Sequence, residues 1–245
     1  MSALDFLTTE DNHKIAYKHY KKGNDKTIII VHGFYNSKDS ELLGKLKDEL
    51  FKKYDVFMFD FRGHGQSSGF FTWTAREGYD LKAVLKYLDG QYKKTAILAF
   101  SFGGSISINV LSEKNYNIDS FICVSVPSDP SRVDYKWWNL DWENDIHYSM
   151  LTKNGRKGKG VRLGPFWLKK QKPINNIQAL KMPVLYIHGS KDWVIDKWHS
   201  DALYSKTTVR KELFLINNGL HAEYLLRKNK NEFIKKINTW LSETL

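Results

Sequence analysis

The residue with the clearest chemical setting in this chain is Ser101, in the segment 99–104 that directly follows the apolar run 95–98. If that run is a strand, the small residues on both sides of Ser101 allow a turn too sharp for ordinary side chains. Such a strand-to-helix turn exposes the serine hydroxyl and directs the next backbone N–H at a developing oxyanion. The usual sequence motif of this turn is Gly-x-Ser-x-Gly, and here Ala99 occupies the position of the first glycine. The stretch therefore predicts a nucleophilic serine.

Three more fragments with chemically useful side chains follow apolar runs elsewhere in the chain. They are the segments 32–34, 188–192 and 218–221, with the sequences His-Gly-Phe, His-Gly-Ser-Lys-Asp and Asn-Gly-Leu-His. In a parallel sheet, functional groups collect at the carboxyl ends of the strands. If the preceding runs are parallel strands, all three fragments lie at the same edge of the sheet as Ser101.

The spacing of apolar residues predicts the elements that would position these fragments. The runs 27–31 and 55–60 are typical of strands buried on both faces, and residues 81–88 follow helical spacing. Residues 4–7 and 15–20 are predicted to form a hairpin. Strand and helix then alternate, which predicts an α/β fold with a doubly wound, mostly parallel sheet and right-handed crossovers. The other predicted strands are 95–98, 118–126, 183–187 and 211–216, and the other predicted helices are 39–53, 102–112, 197–205 and an amphipathic helix over 226–241.

The alternation stops between residues 127 and 173, where no comparable strand pattern is present. A structureless loop of this length is unusual inside a compact domain, and a chain of 245 residues suits one domain. We therefore predict a single domain over 1–245, with 127–178 as a cap or lid insertion. The tryptophans of this insertion could line a substrate pocket, although tryptophan is also common in plain cores. They are Trp137, Trp138, Trp142 and Trp167.

A formal net charge of +11 and a pI of about 9.4 raise the question of an anionic partner. The lysines are scattered and no nucleic-acid-binding motif accompanies them, so nucleic acid is not an expected partner. Only residues 153–162 form a dense basic cluster. This cluster could dock the cap on anionic lipid, so a weak contact with a membrane surface is an open alternative to plain surface charge.

Several classes of protein are disfavoured by what the sequence lacks. The single cysteine, Cys123, excludes an intramolecular disulfide and a cysteine-based metal site. Neither a His-Glu-x-x-His motif nor a phosphate-binding glycine loop is present, so no metal and no cofactor are expected. Residues 1–10 do not resemble a signal peptide, and no window approaches the roughly 20 apolar residues of a membrane span. A cytoplasmic protein is the expectation.

Taken together, the fragments resemble the α/β-hydrolase superfamily, in the branch of small esterases, lysophospholipase-like and serine-aminopeptidase-like proteins. The resemblance covers the chain from about residue 27 to residue 241 and is weakest in the cap. It rests on His32-Gly33-Phe34, the segment 60–67 with the sequence Asp-Phe-Arg-Gly-His-Gly-Gln-Ser, the turn at Ser101, the segment 188–192 and the late His221. Ala99 departs from the first glycine of the family motif by one methyl group, which we expect to be tolerated. Asp60 and Arg62 are expected to satisfy backbone groups or each other.

The resemblance implies a role for each of five residues. Ser101 would attack an acyl carbon, His221 would take its proton and later deliver it to the leaving group, and Asp192 would orient the imidazole. The backbone N–H groups of Phe34 and Phe102 would form the oxyanion hole. The implied activity is hydrolysis of carboxylic esters with short to medium or aromatic acyl groups. The same groups would serve a thioesterase, an amidase or aminopeptidase, or a lysophospholipase, and a non-catalytic ligand-binding protein on this scaffold is an alternative from another class.

Competing residues exist for the acid and for the base. Asp129 also follows a predicted strand and is an alternative to Asp192, although the spacing of Gly189, Asp192 and Val194 resembles that of the usual family acid. His221 alone among the eight histidines lies in the loop after the last predicted strand. The others are interpreted as turn, packed or surface polar residues, with His199 on a surface helix. They are His13, His19, His32, His64, His147, His188 and His199.

Overall fold

The computed structural model of this protein describes residues 5–133 and 161–245. Its strands are β1 (Asp5–Thr8), β2 (Lys14–Tyr20), β3 (Lys26–Val31), β4 (Asp55–Phe59), β5 (Lys94–Phe100), β6 (Ser120–Val124), β7 (Val184–Gly189) and β8 (Lys211–Ile216). Within the described residues they form one sheet in the order β1-β2-β4-β3-β5-β6-β7-β8. The pairs β1–β2 and β2–β4 are antiparallel, and every other pair is parallel. The predicted α/β fold with a mostly parallel sheet is confirmed.

The helices of the described residues agree with the predicted ones except for a short helix at 173–176, which lies inside the predicted cap, and for the start of the last helix. They are α1 (Glu41–Leu50), α2 (Gly78–Leu88), α3 (Phe102–Leu111), α4 (Pro173–Asn176), α5 (Trp198–Lys206), α6 (Leu225–Lys228) and α7 (Lys230–Thr244). The amphipathic helix predicted over 226–241 is confirmed from residue 230 onward, where Phe233, Ile237 and Leu241 are buried on α7. Its start is wrong, because Asn229 leaves the helical conformation with φ −120° and ψ 25° and separates α6 from α7. None of the helices in the two described ranges is long and apolar enough to cross a bilayer.

Apolar layers cover both faces of the sheet. Ile29 and Val31 of β3 belong to the layer that includes α2 and α3, whereas Ile28 and Ile30 belong to the layer that includes α1 and α7. All four side chains are buried. Because both faces of the strand are covered, its apolar run is continuous instead of alternating. Cys123 on β6 is also buried, as its sequence context predicted.

The region predicted to be a cap, residues 127–178, is described only near its two ends. Its carboxyl-terminal part, which the structure describes from residue 161, pairs with the loop after β4. There Val161 forms a β-bridge with His64, and Leu163 forms one with Phe71. α4 then packs against α3. Three of the predicted pocket tryptophans, Trp137, Trp138 and Trp142, and most of the basic cluster 153–162 lie outside the described residues. The interpretation of this region as a cap stays a prediction.

Candidate active site

Ser101 lies on the turn between β5 and α3, where its backbone has φ 49° and ψ −124°. A non-glycine residue in this region is strained and persists only where its surroundings hold it. The N–H of Ser101 donates to the carbonyl of Val124 at 2.9 Å, which ties the turn to the end of β6. The methyl group of Ala99 is buried on β5, which pairs with β3 on one side and β6 on the other. The strained strand-to-helix turn that a nucleophilic serine requires is therefore present at Ser101.

The two predicted oxyanion donors, the N–H groups of Phe34 and Phe102, lie on segments that meet at Ser101. A Cβ placed on Gly33 would lie only 3.1 Å from the Cβ of Ser101, so the loop after β3 packs directly on the turn. Within the described residues, neither N–H has a protein acceptor. Phe102 is also the first residue of α3, and the partial positive charge at a helix N-terminus favours an anion there. Both groups can therefore donate to a substrate oxygen.

Buried polar groups fix the loop after β3 against the loop after β4. Asp60 accepts hydrogen bonds from the backbone N–H groups of Lys38 and Gln66, at 2.7 and 2.9 Å, and from the ammonium group of Lys38 at 2.9 Å. Asp60 thus satisfies backbone groups, as predicted, while Arg62 pairs with two other carboxylates. The side chain of Lys38 is fully buried. Nothing in the sequence distinguishes Lys38 from the many surface lysines, so its role was not predicted.

Asp192 and His221 form a hydrogen-bonded pair. Nδ1 of His221 lies 3.0 and 2.9 Å from the two carboxylate oxygens of Asp192, and Oδ1 also accepts the N–H groups of Val194 and Ile195 at 3.0 and 2.9 Å. Burial raises the pKa of Asp192, but the nearby histidines and these hydrogen bonds outweigh burial and leave the pKa below its ordinary value. The ionised carboxylate favours a proton on Nδ1, so that Nε2 is the basic nitrogen.

A close approach of two glycines brings the loops of Asp192 and His221 together. A Cβ placed on Gly189 would lie 2.4 Å from backbone atoms of Gly219. The N–H of Lys191 donates to the carbonyl of Gly219 at 2.8 Å across the same contact. A larger residue at either glycine would separate the two loops. The glycines of the predicted fragments are therefore what allows the acid and the base to meet.

Ser125, directly after β6, joins the turn of Ser101 to the loop of His221. Its Oγ accepts the N–H of Ala222 at 3.0 Å, and its own N–H donates to the carbonyl of Ile187 at 2.9 Å. Ser125 is fully buried, and both Ser125 and Ala222 have positive φ, at 52° and 48°. The sequence contained one weak signal for the role of Ser125. It is a polar residue at the carboxyl end of β6, and the neighbouring strands β5 and β7 also end in candidate functional residues.

The competing acid, Asp129, lies in a separate group of interactions. Its Oδ2 accepts a hydrogen bond from the ammonium group of Lys172 at 2.6 Å, and its Oδ1 accepts the N–H of Ser131 at 3.0 Å. No hydrogen bond or ion pair between residues of the described ranges joins Asp129 to His221. Of the two candidate acids, the structure brings Asp192 to the predicted base.

The other described histidines make structural hydrogen bonds. His188 is buried under the acid loop, with the Ser200 hydroxyl at Nδ1 and the carbonyl of Ile195 at Nε2, both at 2.8 Å. Of the alternatives for His199, an exposed or a packed polar residue, the structure shows the packed one, because α5 directs the side chain inward, where Nδ1 accepts the N–H of Ser128 at 3.1 Å. In the part of the chain that the structure describes, no cluster of histidine, cysteine and carboxylate side chains is arranged to hold a metal ion. Both ring nitrogens of His32 are in hydrogen bonds, with the carbonyl of Gly33 and the N–H of Phe61. His13, His19 and His64 each have one ring nitrogen in a hydrogen bond, and His147 lies outside the described residues.

An aromatic cluster that the sequence did not reveal surrounds the predicted oxyanion donors. The ring of Phe34 stacks on Trp73, with centroids 5.4 Å apart, and contacts the rings of Phe71 and Phe102 at 5.3 and 6.2 Å. Phe71 and Trp73 lie in the loop between β4 and α2, outside the predicted motifs. Trp167, by contrast, is 74% exposed. Its predicted place in a substrate pocket stays a prediction.

Known proteins resemble this chain both in sequence and in structure. A family model described as the alpha/beta hydrolase fold matches residues 26–145. YfhR of Salmonella typhimurium, an uncharacterized protein, is 27% identical over 229 residues, which cover 88% of this chain and 72% of YfhR. The human serine hydrolase BPHL is 22% identical over 255 residues, which cover 91% of this chain and 84% of BPHL.

Among solved structures, the esterase Pf2001 of Pyrococcus furiosus superimposes with a TM-score of 0.77 and 25% identity, over 99% of this chain and 91% of that one. An esterase of Thermogutta terrifontis superimposes with a TM-score of 0.76 over 99% of both chains. At 16% identity, this second likeness shows the fold alone. The shared architecture therefore extends over the whole sheet and the strand ends that carry the candidate residues.

Proposed function

Because the chain belongs to the α/β-hydrolase superfamily, we propose that it is a serine hydrolase that cleaves carboxylic esters through an acyl-enzyme on Ser101. The observation that carries this proposal is the pair formed by the buried Asp192 carboxylate and Nδ1 of His221, at 2.9 Å. The strained turn at Ser101 supports it further, because strain of this kind is characteristic of nucleophiles at strand-to-helix turns.

In the proposed reaction, Oγ of Ser101 attacks the carbonyl carbon while Nε2 of His221 accepts the hydroxyl proton. Asp192 stabilises the imidazolium that forms. The negative charge on the carbonyl oxygen is met by the N–H groups of Phe34 and Phe102, each worth about 3 kcal/mol of barrier in comparable enzymes. Collapse of the intermediate transfers the proton from His221 to the departing alcohol. Water then hydrolyses the acyl-enzyme by the same steps in reverse.

The aromatic cluster around Phe34 supports an acyl group of short to medium length or with an aromatic ring. Flat apolar rings beside the two N–H donors suit such groups, because they exclude water without supplying a charge. The same catalytic groups would cleave a thioester, an amide or a lysophospholipid. Action without a cofactor and a cytoplasmic location remain predictions from the sequence.

Two measurements on one pair of proteins test the proposal. A fluorophosphonate probe should label the wild type and not Ser101→Ala, and a series of p-nitrophenyl esters of increasing acyl length should be hydrolysed only by the wild type. Ser107→Ala is a matched control, because Ser107 lies on α3 and its buried hydroxyl bonds the carbonyl of Gly103 at 2.7 Å. Equal labelling of wild type and Ser101→Ala would overturn the assignment of the nucleophile. Tight ligand binding without turnover of any ester would favour the ligand-binding alternative.

A further inference from the structure

Four large apolar side chains are exposed on one part of the surface. Phe70, Leu163, Phe166 and Trp167 are 58, 54, 67 and 74% exposed. We refer to these four residues as the apolar rim. Single exposed apolar residues are ordinary, but contiguous ones mark sites of interaction. The rim therefore needs a partner or a function.

Backbone pairing holds the two segments of the apolar rim together. The N–H of Phe71 donates to the carbonyl of Arg162 at 2.8 Å, and the N–H of Gly164 donates to the carbonyl of Phe71 at 2.8 Å. The side chain of Arg162 also donates to the carbonyls of Ser67 and Gly69. A Cβ placed on Gly164 would lie 2.8 Å from the Cβ of Phe70, which shows how closely the two segments approach. The rim is thus built on a fixed support.

The charge beside the apolar rim has one sign. Lys169 is exposed, and the ammonium group of Lys170 bonds the carbonyl of Phe166 within the rim itself. Residues 161–181 contain no aspartate or glutamate. Lys172 pairs with Asp129, whereas neither Lys169 nor Lys170 has a carboxylate partner among the described residues. The basic residues of this segment are Arg162, Lys169, Lys170, Lys172 and Lys181.

We propose that the apolar rim, together with Lys169 and Lys170, docks this protein on the surface of an anionic lipid bilayer. Tryptophan and phenylalanine partition into the interfacial layer of a bilayer, and neighbouring lysines are attracted to anionic headgroups. Neither the apolar side chains nor the lysines alone give firm attachment to a bilayer, so both are needed. A protein partner would have to present acidic groups opposite Lys169 and Lys170, whereas an anionic bilayer presents negative headgroups all along a segment that has no acidic residue of its own.

The apolar rim is also continuous with the candidate active site. Phe70 precedes Phe71, whose ring contacts those of Phe34 and Phe102 at 5.3 and 6.2 Å. This continuity would allow an acyl substrate to pass from the bilayer to Ser101, a step that rests on the proposed function. The docking of the rim on the bilayer does not depend on the proposed function.

Cosedimentation of the full chain with phosphatidylcholine vesicles, with and without phosphatidylglycerol, tests the docking. We expect binding only with phosphatidylglycerol, a loss of at least about tenfold in affinity for the double variant Leu163→Ser/Phe166→Ser, and a similar loss for Lys169→Glu/Lys170→Glu. Phe6→Ser is the matched apolar control, since Phe6 is 44% exposed on β1. Lys206→Glu/Lys228→Glu is the matched charge control. Both controls should bind like the wild type.

Hydrolysis of soluble p-nitrophenyl acetate by the same variants separates docking from catalysis. Rim variants that lose vesicle binding but keep this activity support the proposal, and a blue shift of tryptophan emission that is absent in Trp167→Phe supports insertion of the rim. Vesicle binding that the rim variants leave unchanged would overturn it. Self-association abolished by the rim variants, with no vesicle binding by the wild type, would also overturn it and identify the rim as an interface between two copies.

Discussion

The hydroxyl oxygen of Ser125 accepts a hydrogen bond from the backbone N–H of Ala222 at 3.0 Å, across 97 positions of sequence. Ala222 directly follows His221, and the residue before Ser125 accepts the N–H of Ser101. One short stretch at the end of β6 is therefore bonded to both the proposed nucleophile and the loop of the proposed base. Because Ser125 and Ala222 both have positive φ, the hydrogen bond also holds two strained conformations in place.

Replacement of this hydroxyl should impair catalysis more than substrate binding. In Ser125→Ala, the buried N–H of Ala222 loses its acceptor and the loop of His221 can shift, so we expect kcat to fall about tenfold with little change in KM. We also expect a loss of about 1 to 2 kcal/mol in the free energy of unfolding. Ser120→Ala is the matched control, since Ser120 lies on the same strand and its buried hydroxyl accepts the indole N–H of Trp240 at 2.9 Å. An equal fall of kcat in both variants would show a general effect of stability.

Two isosteric substitutions decide between the candidate acids. Asp192→Asn removes the negative charge at Nδ1 of His221 and favours the wrong tautomer, so we expect kcat to fall by about 10³-fold or more. Asp129→Asn removes a charge that is bonded to Lys172, and we expect kcat to stay within about twofold. The measurement is the steady-state rate with a p-nitrophenyl ester. A large fall in Asp129→Asn with an active Asp192→Asn would reverse the assignment.

The features that could be predicted from the sequence are those with a local cause. The run 27–31 is continuously apolar because β3 is buried on both faces, and the period of residues 81–88 reflects the single buried face of α2. Once parallel strands are predicted, their carboxyl ends must lie at one edge, which places Ser101, Asp192 and His221 on the same side of the sheet. Fold and strand-end fragments therefore follow from short-range patterns and one topological rule.

The features that could not be predicted depend on contacts between distant loops. No residue near Ser125 in the sequence indicates that its hydroxyl will bond the N–H of Ala222. The positive φ of both residues could not be predicted either, because neither residue is a glycine. The burial of Lys38 and the stacking of Trp73 on Phe34 likewise arise only when the loops after β3 and β4 are brought together. Tertiary contacts of this kind override the local expectation that a lysine or a loop tryptophan faces solvent.

The aromatic cluster should determine which acyl groups bind. In Trp73→Ala, the ring that stacks on Phe34 at 5.4 Å is lost, whereas the N–H of Phe34 belongs to the backbone and is retained. We expect KM for p-nitrophenyl benzoate to rise about tenfold, with kcat for p-nitrophenyl acetate nearly unchanged.

Trp198→Ala is the control for this prediction, because Trp198 stacks on His199 at 3.6 Å and not on Phe34. A change of KM for the benzoate ester in Trp198→Ala, or its absence in Trp73→Ala, would place the acyl site elsewhere.

Stability should decrease in mild acid because several histidines are buried in their neutral form. Burial is the main cause that lowers the pKa values of His32, His64 and His188, and it lowers the pKa of His199 from 6.5 to about 4. Between pH 6.5 and about pH 4, His199 therefore binds fewer protons in the folded chain than in the unfolded chain. Its contribution to stability is therefore complete above about pH 6.5 and is lost as the pH falls toward 4.

His199 allows this prediction to be tested at one residue. Its Nδ1 accepts the N–H of Ser128 at 3.1 Å, so protonation of that nitrogen breaks the contact, while Asp196, Asp129, Arg132 and His188 are the charged groups nearby. A pKa of about 4 implies up to about 2 kcal/mol less stability at pH 5 than at pH 7. The amide oxygen of glutamine can accept the same hydrogen bond without titrating. Urea unfolding of His199→Gln should therefore show a smaller decrease between pH 7 and pH 5 than the wild type, and parallel decreases in the two proteins would assign the acid sensitivity to other groups.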